Sequence, residues 1–263
     1  MDFLTNTILD LIASYLWPFF RISSMLMVMI VFGATTTPMR IRLLLSIAIT
    51  IAVAPALPAV PNIDLFSINA FLVIAQQIII GVAMGFISLL LVQTFVLAGQ
   101  IIGMQTGLGF ASMVDPASGQ QTPVIGNFFL IMTTMIFLSV DGHLIFIQML
   151  VVSFETLPIA TSGIFVGHYQ TIAKWGSYIF SAALAMSISA IVSLLLINLS
   201  FGIMTRAAPQ LNIFAIGFPV TMISGLIILW LTLSAVMHHF VAVWQSAQSL
   251  LCRVINLSCQ GFL

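Results

Sequence analysis

Formal charge is scarce in this sequence. Its 263 residues include six basic and six acidic side chains, and 61% of them are hydrophobic. Soluble domains carry about 25% charged residues, which keep their surfaces hydrated. No formal charge occurs between Asp64 and Asp115 or between Arg206 and Arg253. Because each interval exceeds the roughly twenty apolar residues that one spanning helix needs, the sequence predicts an all-α, polytopic membrane protein.

Basic clusters are absent and cysteines are few, which excludes further classes of function. Nucleic-acid binding requires a basic stripe, which this sequence does not have. Cys252 and Cys259 would lie about 10 Å apart along a continuous helix, too far for a disulfide, and their spacing does not match a zinc site. We therefore interpret both as structural thiols. Because no convincing nucleophile–base pair, P-loop or dinucleotide motif occurs, we predict no enzyme and no metal or cofactor site.

Apolar residues group into six segments that are long enough to span a membrane. Several of the breaks between them contain prolines, among them Pro58, Pro158 and Pro209. The predicted segments are about 11–32, 41–60, 68–97, 124–152, 172–203 and 213–237. A final stretch, 240–257, mixes polar and apolar residues, and we predict an amphipathic helix there.

Amides and hydroxyls inside these segments predict contact with other protein. The third segment contains Gln76, Gln77 and Gln93, and the fifth contains several serines and Asn198. Such groups are unfavourable in hydrocarbon unless they find hydrogen-bond partners. An oligomeric assembly of helices is the simplest source of those partners.

The stretch 98–126 combines six glycines and two prolines with strongly apolar side chains. Glycine and proline disfavour a continuous helix, and apolar side chains in a loop need a surface that covers them. We interpret the stretch as an apolar plug in the mouth of a channel, and a buried connector between two membrane helices is the alternative. The predicted plug residues are Gly107, Leu108, Gly109, Phe110, Met113, Val114, Asp115 and Pro116.

Two charged positions lie inside apolar segments. Arg21 needs an acceptor or a wet cavity, and we predict a contact with a neighbouring subunit, with snorkelling toward a membrane surface as the alternative. The triplet Asp141-Gly142-His143 fits either a proton relay or a helix break with a capping aspartate.

The motifs of this chain resemble, nearly end to end, those of the FliR family of the flagellar type III export apparatus, which has injectisome counterparts. In chain order they are WPFFRI at 17–22, PMRIRLLLSIAIT at 38–50, AP-x-LP at 54–58, QQIIIGVAMGF at 76–86, GLGFASMVDPAS at 107–118, DGHL at 141–144, LPI at 157–159 and APQLNIFAIGFP at 208–219. Any one of these motifs is weak evidence, but their order and spacing make chance agreement very improbable.

The resemblance implies a subunit of the export gate in the bacterial inner membrane, at the flagellar basal body. Family members form a helical channel core with FliP and FliQ, through which unfolded flagellar proteins pass, and FlhB associates with that core. The resemblance also implies one membrane-associated helical unit, 1–263, with a part similar to FliP at 1–160 and a part similar to FliQ at 161–263. The family's plug loop corresponds to residues 106–122. The resemblance further implies that the helices build a tapered assembly largely above the bilayer plane.

A secondary transporter for a small solute is the alternative function. That mechanism needs ionisable groups near the middle of the membrane. Arg21 and Asp141 are the only candidates in the sequence, because the other carboxylates lie at segment edges or in loops.

Overall fold

The computed structural model describes residues 2–34, 36–58, 67–109, 124–160, 166–207 and 213–257. Seven α-helices occur in these ranges: α1 Asp2–Val28, α2 Met39–Val53, α3 Ile68–Gln105, α4 Val124–Ser139, α5 Gly142–Thr156, α6 Val166–Ala207 and α7 Ile213–Val254. A short 3-10 helix, Ala54–Ala56, follows α2. The described residues include no β-strand, so the predicted all-α class is confirmed.

Five of the described helices are long and apolar enough to cross a membrane, and the α4–α5 pair makes six if it is one broken span. The prediction of a polytopic protein with six apolar segments is therefore confirmed. The helices α6 and α7 have 42 residues each, which corresponds to about 63 Å at the helical rise. This length is about twice the thickness of a bilayer's hydrocarbon core.

The chain divides into two compact units, each of which draws on separate parts of the sequence. The first unit comprises Met1–Leu90, Phe137–Trp175 and Ser246–Leu263. In it α2 packs against α1, and α1 packs closely on α3, where a methyl group at Gly85 would lie 2.6 Å from the Met25 carbonyl oxygen. The buried side chains of Trp17, Phe146 and Phe154 fill its interior.

The second unit comprises Leu91–Ile136 and Gly176–Gln245. Here α3 and α4 approach each other at Gly99, where a methyl group would lie 2.7 Å from Phe129 Cδ2 and 2.9 Å from the Ile125 carbonyl oxygen. The rings of Phe95 on α3 and Phe240 on α7 lie 5.9 Å apart in the core. Small residues thus allow close helix packing in both units.

The stretch 240–257 is helical as far as Val254, as predicted, but the predicted end of the sixth segment at 237 is wrong, because α7 runs without a break from Ile213 to Val254. The polar residues after His238 do not stop the helix, since the same stretch contains alanines and leucines with high helix propensity. Phe240 and Leu251 are buried, so tertiary packing also stabilises this part of α7.

The prediction that the cysteines are free thiols is wrong for Cys252, which is disulfide-bonded. That prediction assumed a continuous helix through Cys259, a residue that lies outside the described ranges. Instead α7 ends at Val254, and Asn256 has a φ of 55°. Leu257 N donates to the Cys252 carbonyl oxygen at 2.8 Å and Asn256 N donates to the Arg253 carbonyl oxygen at 3.4 Å, the paired bonds of a Schellman turn. The chain therefore leaves the helix axis within a few residues of Cys252.

Candidate functional site

The predicted plug stretch begins where α3 ends. Thr106 N donates to the Ile102 carbonyl oxygen at 3.0 Å, and Gly107 N donates to the Met104 carbonyl oxygen at 3.3 Å. Gly107 has a φ of 82°, a left-handed conformation that glycine adopts without steric cost at helix C termini. Gly107, which we assigned to the plug, is thus the residue that ends α3 and redirects the chain.

Two more of the predicted plug residues are described. Leu108 and Gly109 are half-buried, and a methyl group at Gly109 would lie 3.2 Å from Met104 Cα, so the start of the stretch folds back onto the last turns of α3. The other predicted plug residues lie outside the described residues: Phe110, Met113, Val114, Asp115 and Pro116. Their role in closing a channel stays a prediction, as does the buried connector.

Arg21 is fully buried and is surrounded by acceptors from its own chain. Its Nε donates to Gln77 Oε1 at 2.7 Å. Its Nη1 donates to the carbonyl oxygen and the Oγ of Ser153, at 2.9 and 3.1 Å, and its Nη2 donates to the Leu157 carbonyl oxygen at 2.8 Å. Its Cζ lies 4.2 Å from the centroid of the Phe154 ring. Arg21 therefore connects α1 to α3 and to the C-terminal end of α5.

The end of α5 and one aromatic ring provide the negative potential that this cation needs. Carbonyl groups at a helix C terminus carry partial negative charge, and Ser153 and Leu157 present theirs to the guanidinium. The face of Phe154 adds a cation–π interaction. The snorkelling alternative is wrong, because Arg21 has no exposed surface, whereas its contact with a neighbouring subunit stays a prediction.

Gln77 is the partner of Arg21 that sequence reasoning missed. Both side chains stand out as polar groups in apolar segments, so the sequence signalled that each needs a partner. It did not signal that they bind each other, since 56 positions separate them. A search for complementary polar residues in different apolar segments would have included this pair, but also pairs of Arg21 with Gln76, Gln93 or Asn198.

The triplet at Asp141 forms a helix break, as one of its two interpretations predicted. Asp141 has a φ of 55° and stands between α4 and α5, which are bent by 63°. Leu144 N and Ile145 N donate to its backbone carbonyl oxygen at 2.9 and 3.1 Å, whereas its carboxylate makes no capping hydrogen bond. His143 Nδ1 is buried and accepts or donates no hydrogen bond among the described residues. Among the described residues, this nitrogen therefore makes no hydrogen bond to Asp141.

The resemblance to a flagellar family makes swimming motility the expected readout, and replacing Asp141 with asparagine should leave it unchanged, because asparagine tolerates left-handed φ values and only the ionisable group is lost. Asp141→Val should lower the yield of folded protein, since a β-branched residue is strained by about 1–2 kcal/mol in this conformation. Soft-agar motility and the yield of purified protein measure the two effects. An asparagine variant that folds normally but does not swim would instead support the proton relay.

A cavity of about 250 Å³ lies in the second unit between α3, α4, α6 and α7. Its walls are mostly apolar, and His239, Ser189 and Thr232 are its polar members. In the described part of the chain, no group of three His, Cys, Asp or Glu side chains is placed to hold a metal ion. The cavity thus offers no metal-dependent chemistry with the described residues.

Comparisons with known proteins place this chain in a single family. A family model described as bacterial export proteins, family 1, matches residues 12–247. The flagellar biosynthetic protein FliR of Escherichia coli (strain K12) is 39% identical over 212 residues, which are 81% of each chain. The FliR protein of Pectobacterium carotovorum subsp. carotovorum is 37% identical over 222 residues, 84% of this chain and 85% of that protein.

Sequence similarity to a relative of lower identity also covers most of the chain, and the family match includes the candidate site. The FliR protein of Bacillus subtilis (strain 168) is 27% identical over 234 residues, 88% of this chain and 90% of that protein. The residues matched by the family model include Arg21, the whole plug stretch and most of α7. With its long apolar helices, this membrane-embedded chain belongs to the FliR family of the flagellar type III export apparatus.

Proposed function

We propose that the chain is a subunit of the export gate, and that it forms the channel core for unfolded flagellar proteins together with FliP and FliQ. FlhB associates with this core, and the assembly lies in the bacterial inner membrane at the flagellar basal body. Residues 1–160 take the place of a FliP-like subunit and residues 161–263 that of a FliQ-like subunit. The plug stretch, residues 106–122, closes the pore at rest.

The outer surface of α7 is the observation that carries the subunit role. Within Gly217–Val254, an 18-residue window has a mean hydropathy of 2.1, and only 17% of that window is buried within the chain. Large exposed apolar side chains extend along α7 from Phe218 to Val241, about 35 Å at the helical rise. This stretch is longer than the roughly 30 Å hydrocarbon core of a bilayer, so part of the apolar surface requires protein partners.

Membership in an export family favours protein export over the transport of a small solute. The two ionisable candidates for a transporter are also poorly suited to that role: Arg21 is engaged in hydrogen bonds between helices, and Asp141 is exposed at a turn. Purification separates the two functions. An export-gate subunit should elute in a large complex with other small hydrophobic proteins, whereas a transporter should elute alone or as a small oligomer.

An apolar plug suits a gate whose cargo varies at every residue. Such a gate cannot select by ion coordination, but a hydrophobic constriction excludes water and ions without chemical specificity. Contacts of Met113 and Phe110 would each contribute about 0.1–0.2 kcal/mol per atom pair, so a passing chain can replace them one by one. Gly107, in its left-handed conformation, lies at the root of the plug and permits the change of chain direction.

Deleting residues 110–116 should leave assembly intact and make the membrane leaky, because the deletion removes the seal but none of the described helices. Passive sodium or proton flux in cells measures the leak, and co-purification with the partner subunits measures assembly. Flux should rise by well over tenfold, equivalent to about 1.4 kcal/mol for each factor of ten.

The variant Gln120→Ala with Gln121→Ala is a matched control in the same stretch. It changes polar side chains and should keep the membrane tight, because the seal is apolar. Normal ion tightness in an assembled complex that lacks residues 110–116 would reject the plug.

A further inference from the structure

One face of α7 contacts the two residues where α3 passes into the plug stretch. Thr106 is fully buried. A methyl group at Gly225 would overlap Thr106 Cγ2 and lie 2.8 Å from Thr106 Cβ. The bare backbone of α7 at Gly225 therefore rests directly on the Thr106 side chain.

Phe218 makes the second contact from the same face of α7. A methyl group at Gly107 would lie 2.9 Å from Phe218 Cε2 and 3.3 Å from Cδ2. Phe218 and Gly225 are seven residues apart, about two helical turns, so they point in nearly the same direction. The neighbouring residues Thr106 and Gly107 are thus both held by this face.

Thr106 also links the α7 contact to the plug stretch itself. Its hydroxyl donates to the Gly103 carbonyl oxygen at 3.0 Å, and it accepts from Leu108 N at 3.5 Å. Since Thr106 is β-branched and buried, it has little rotational freedom with which to yield. A shift of α7 at Gly225 would therefore move the side chain that orients Leu108.

We infer that Phe218 and Gly225 form a seat on α7 that holds the start of the plug stretch, Thr106 and Gly107, in the closed gate. The inference rests on the proposed role of the plug. It adds that the resting seal depends on a helix more than 100 positions further along the chain, and that these two residues position the plug without forming the seal themselves.

Gly225→Ala tests the seat by inserting one methyl group between α7 and Thr106. Overpacking against a rigid neighbour should shift the gate toward its open state and raise passive sodium flux about tenfold, equivalent to about 1.4 kcal/mol. Gly202→Ala on α6 is the matched control, because a methyl group there meets nothing within 4 Å. It should leave the flux unchanged.

A second substitution separates the contact from a general weakening of α7. Thr106→Ser removes Cγ2 and keeps the hydroxyl, so the double variant Gly225→Ala with Thr106→Ser should recover part of the lost tightness. Phe218→Ala removes a contact without adding atoms, and it should also leak. If Gly225→Ala prevents assembly, the flux through the Phe218→Ala complex is the measurement that tests the seat.

The deletion of residues 110–116 serves as the reference in the same flux measurement. If the deletion leaks but assembled Gly225→Ala and Phe218→Ala complexes are as tight as the parent, the seat is rejected and the plug is retained. If the deletion does not leak, the plug is rejected and the seat with it. If the deletion leaks, an assembled Gly225→Ala or Phe218→Ala complex also leaks, and the Gly202→Ala control stays tight, the results support both the plug and the seat.

Discussion

Arg21→Ala is expected to abolish recovery of the folded chain, the largest effect of any single substitution considered. The change removes the Arg21 donor from buried Gln77 Oε1 and from the part-buried Leu157 carbonyl oxygen, whereas the Ser153 carbonyl oxygen keeps its bond from Leu157 N. Each buried acceptor that is left without a donor costs about 1–3 kcal/mol, and together these costs are a large part of the total stability of about 5–15 kcal/mol typical of a domain. The yield of purified complex and its thermal unfolding in detergent measure the loss.

Arg21→Lys should be intermediate, because an ammonium group carries the charge but cannot reach acceptors on three sides as the planar guanidinium does. Arg40 offers matched controls: it is exposed on α2, so Arg40→Ala and Arg40→Lys should change the yield little. If Arg21→Ala gives a stable chain that no longer retains its partners, Arg21 acts at a subunit contact, as the sequence first suggested.

Gly81→Ala is expected to separate α1 from α3 and to lower the unfolding temperature of the complex by about 5–10 °C. A methyl group at Gly81 would overlap Ser24 Oγ and the backbone carbonyl oxygen of Arg21, and it would lie 3.1 Å from Met25 N. A side chain can rotate away, but a backbone carbonyl cannot. The displacement would also disturb the Arg21 network, because the obstructed carbonyl belongs to that residue.

Gly176→Ala on α6 is the control for this prediction, since a methyl group there meets nothing within 4 Å. It should be neutral or stabilising, because alanine favours a helix over glycine by about 1 kcal/mol. Adding Ser24→Ala to Gly81→Ala should restore little, as the carbonyl of Arg21 stays in place. Full restoration would show that the α1–α3 contact is set by side chains alone.

The helical class and the number of apolar segments followed from composition, because a bilayer requires long uncharged runs and leaves few other structures. The break at Asp141 was also predictable, since an aspartate before a glycine is a poor continuation of an apolar helix. Its left-handed conformation was not predicted. The capping role of its carboxylate was wrong, because Asp141 has a φ of 55° and a ψ of 27° instead of the extended conformation from which an N-cap side chain reaches the amides of the first turn.

Long-range pairings could not be read from the sequence. Gly225 looks like any small residue in an apolar run, and only the fold brings it against Thr106. Likewise, the polar side chains of Arg21 and Gln77 indicate that each needs a hydrogen-bond partner, but they do not indicate which residue that partner is. The end of α7 was misjudged because local polarity was taken as a boundary, whereas buried residues such as Leu251 keep the helix continuous.

The length of α6 and α7 has a consequence for biogenesis. Large exposed apolar side chains extend from Phe180 to Met204 on α6 and from Phe218 to Val241 on α7, about 35 Å at the helical rise. This is longer than the roughly 30 Å hydrocarbon core, so the excess must be covered by other subunits or by chaperones. Synthesis of this chain is therefore tied to the supply of its neighbours, and a cell that makes it in surplus would hold a protein with uncovered apolar surface. Balanced production of the subunits is, on this view, a requirement imposed by the dimensions of two helices.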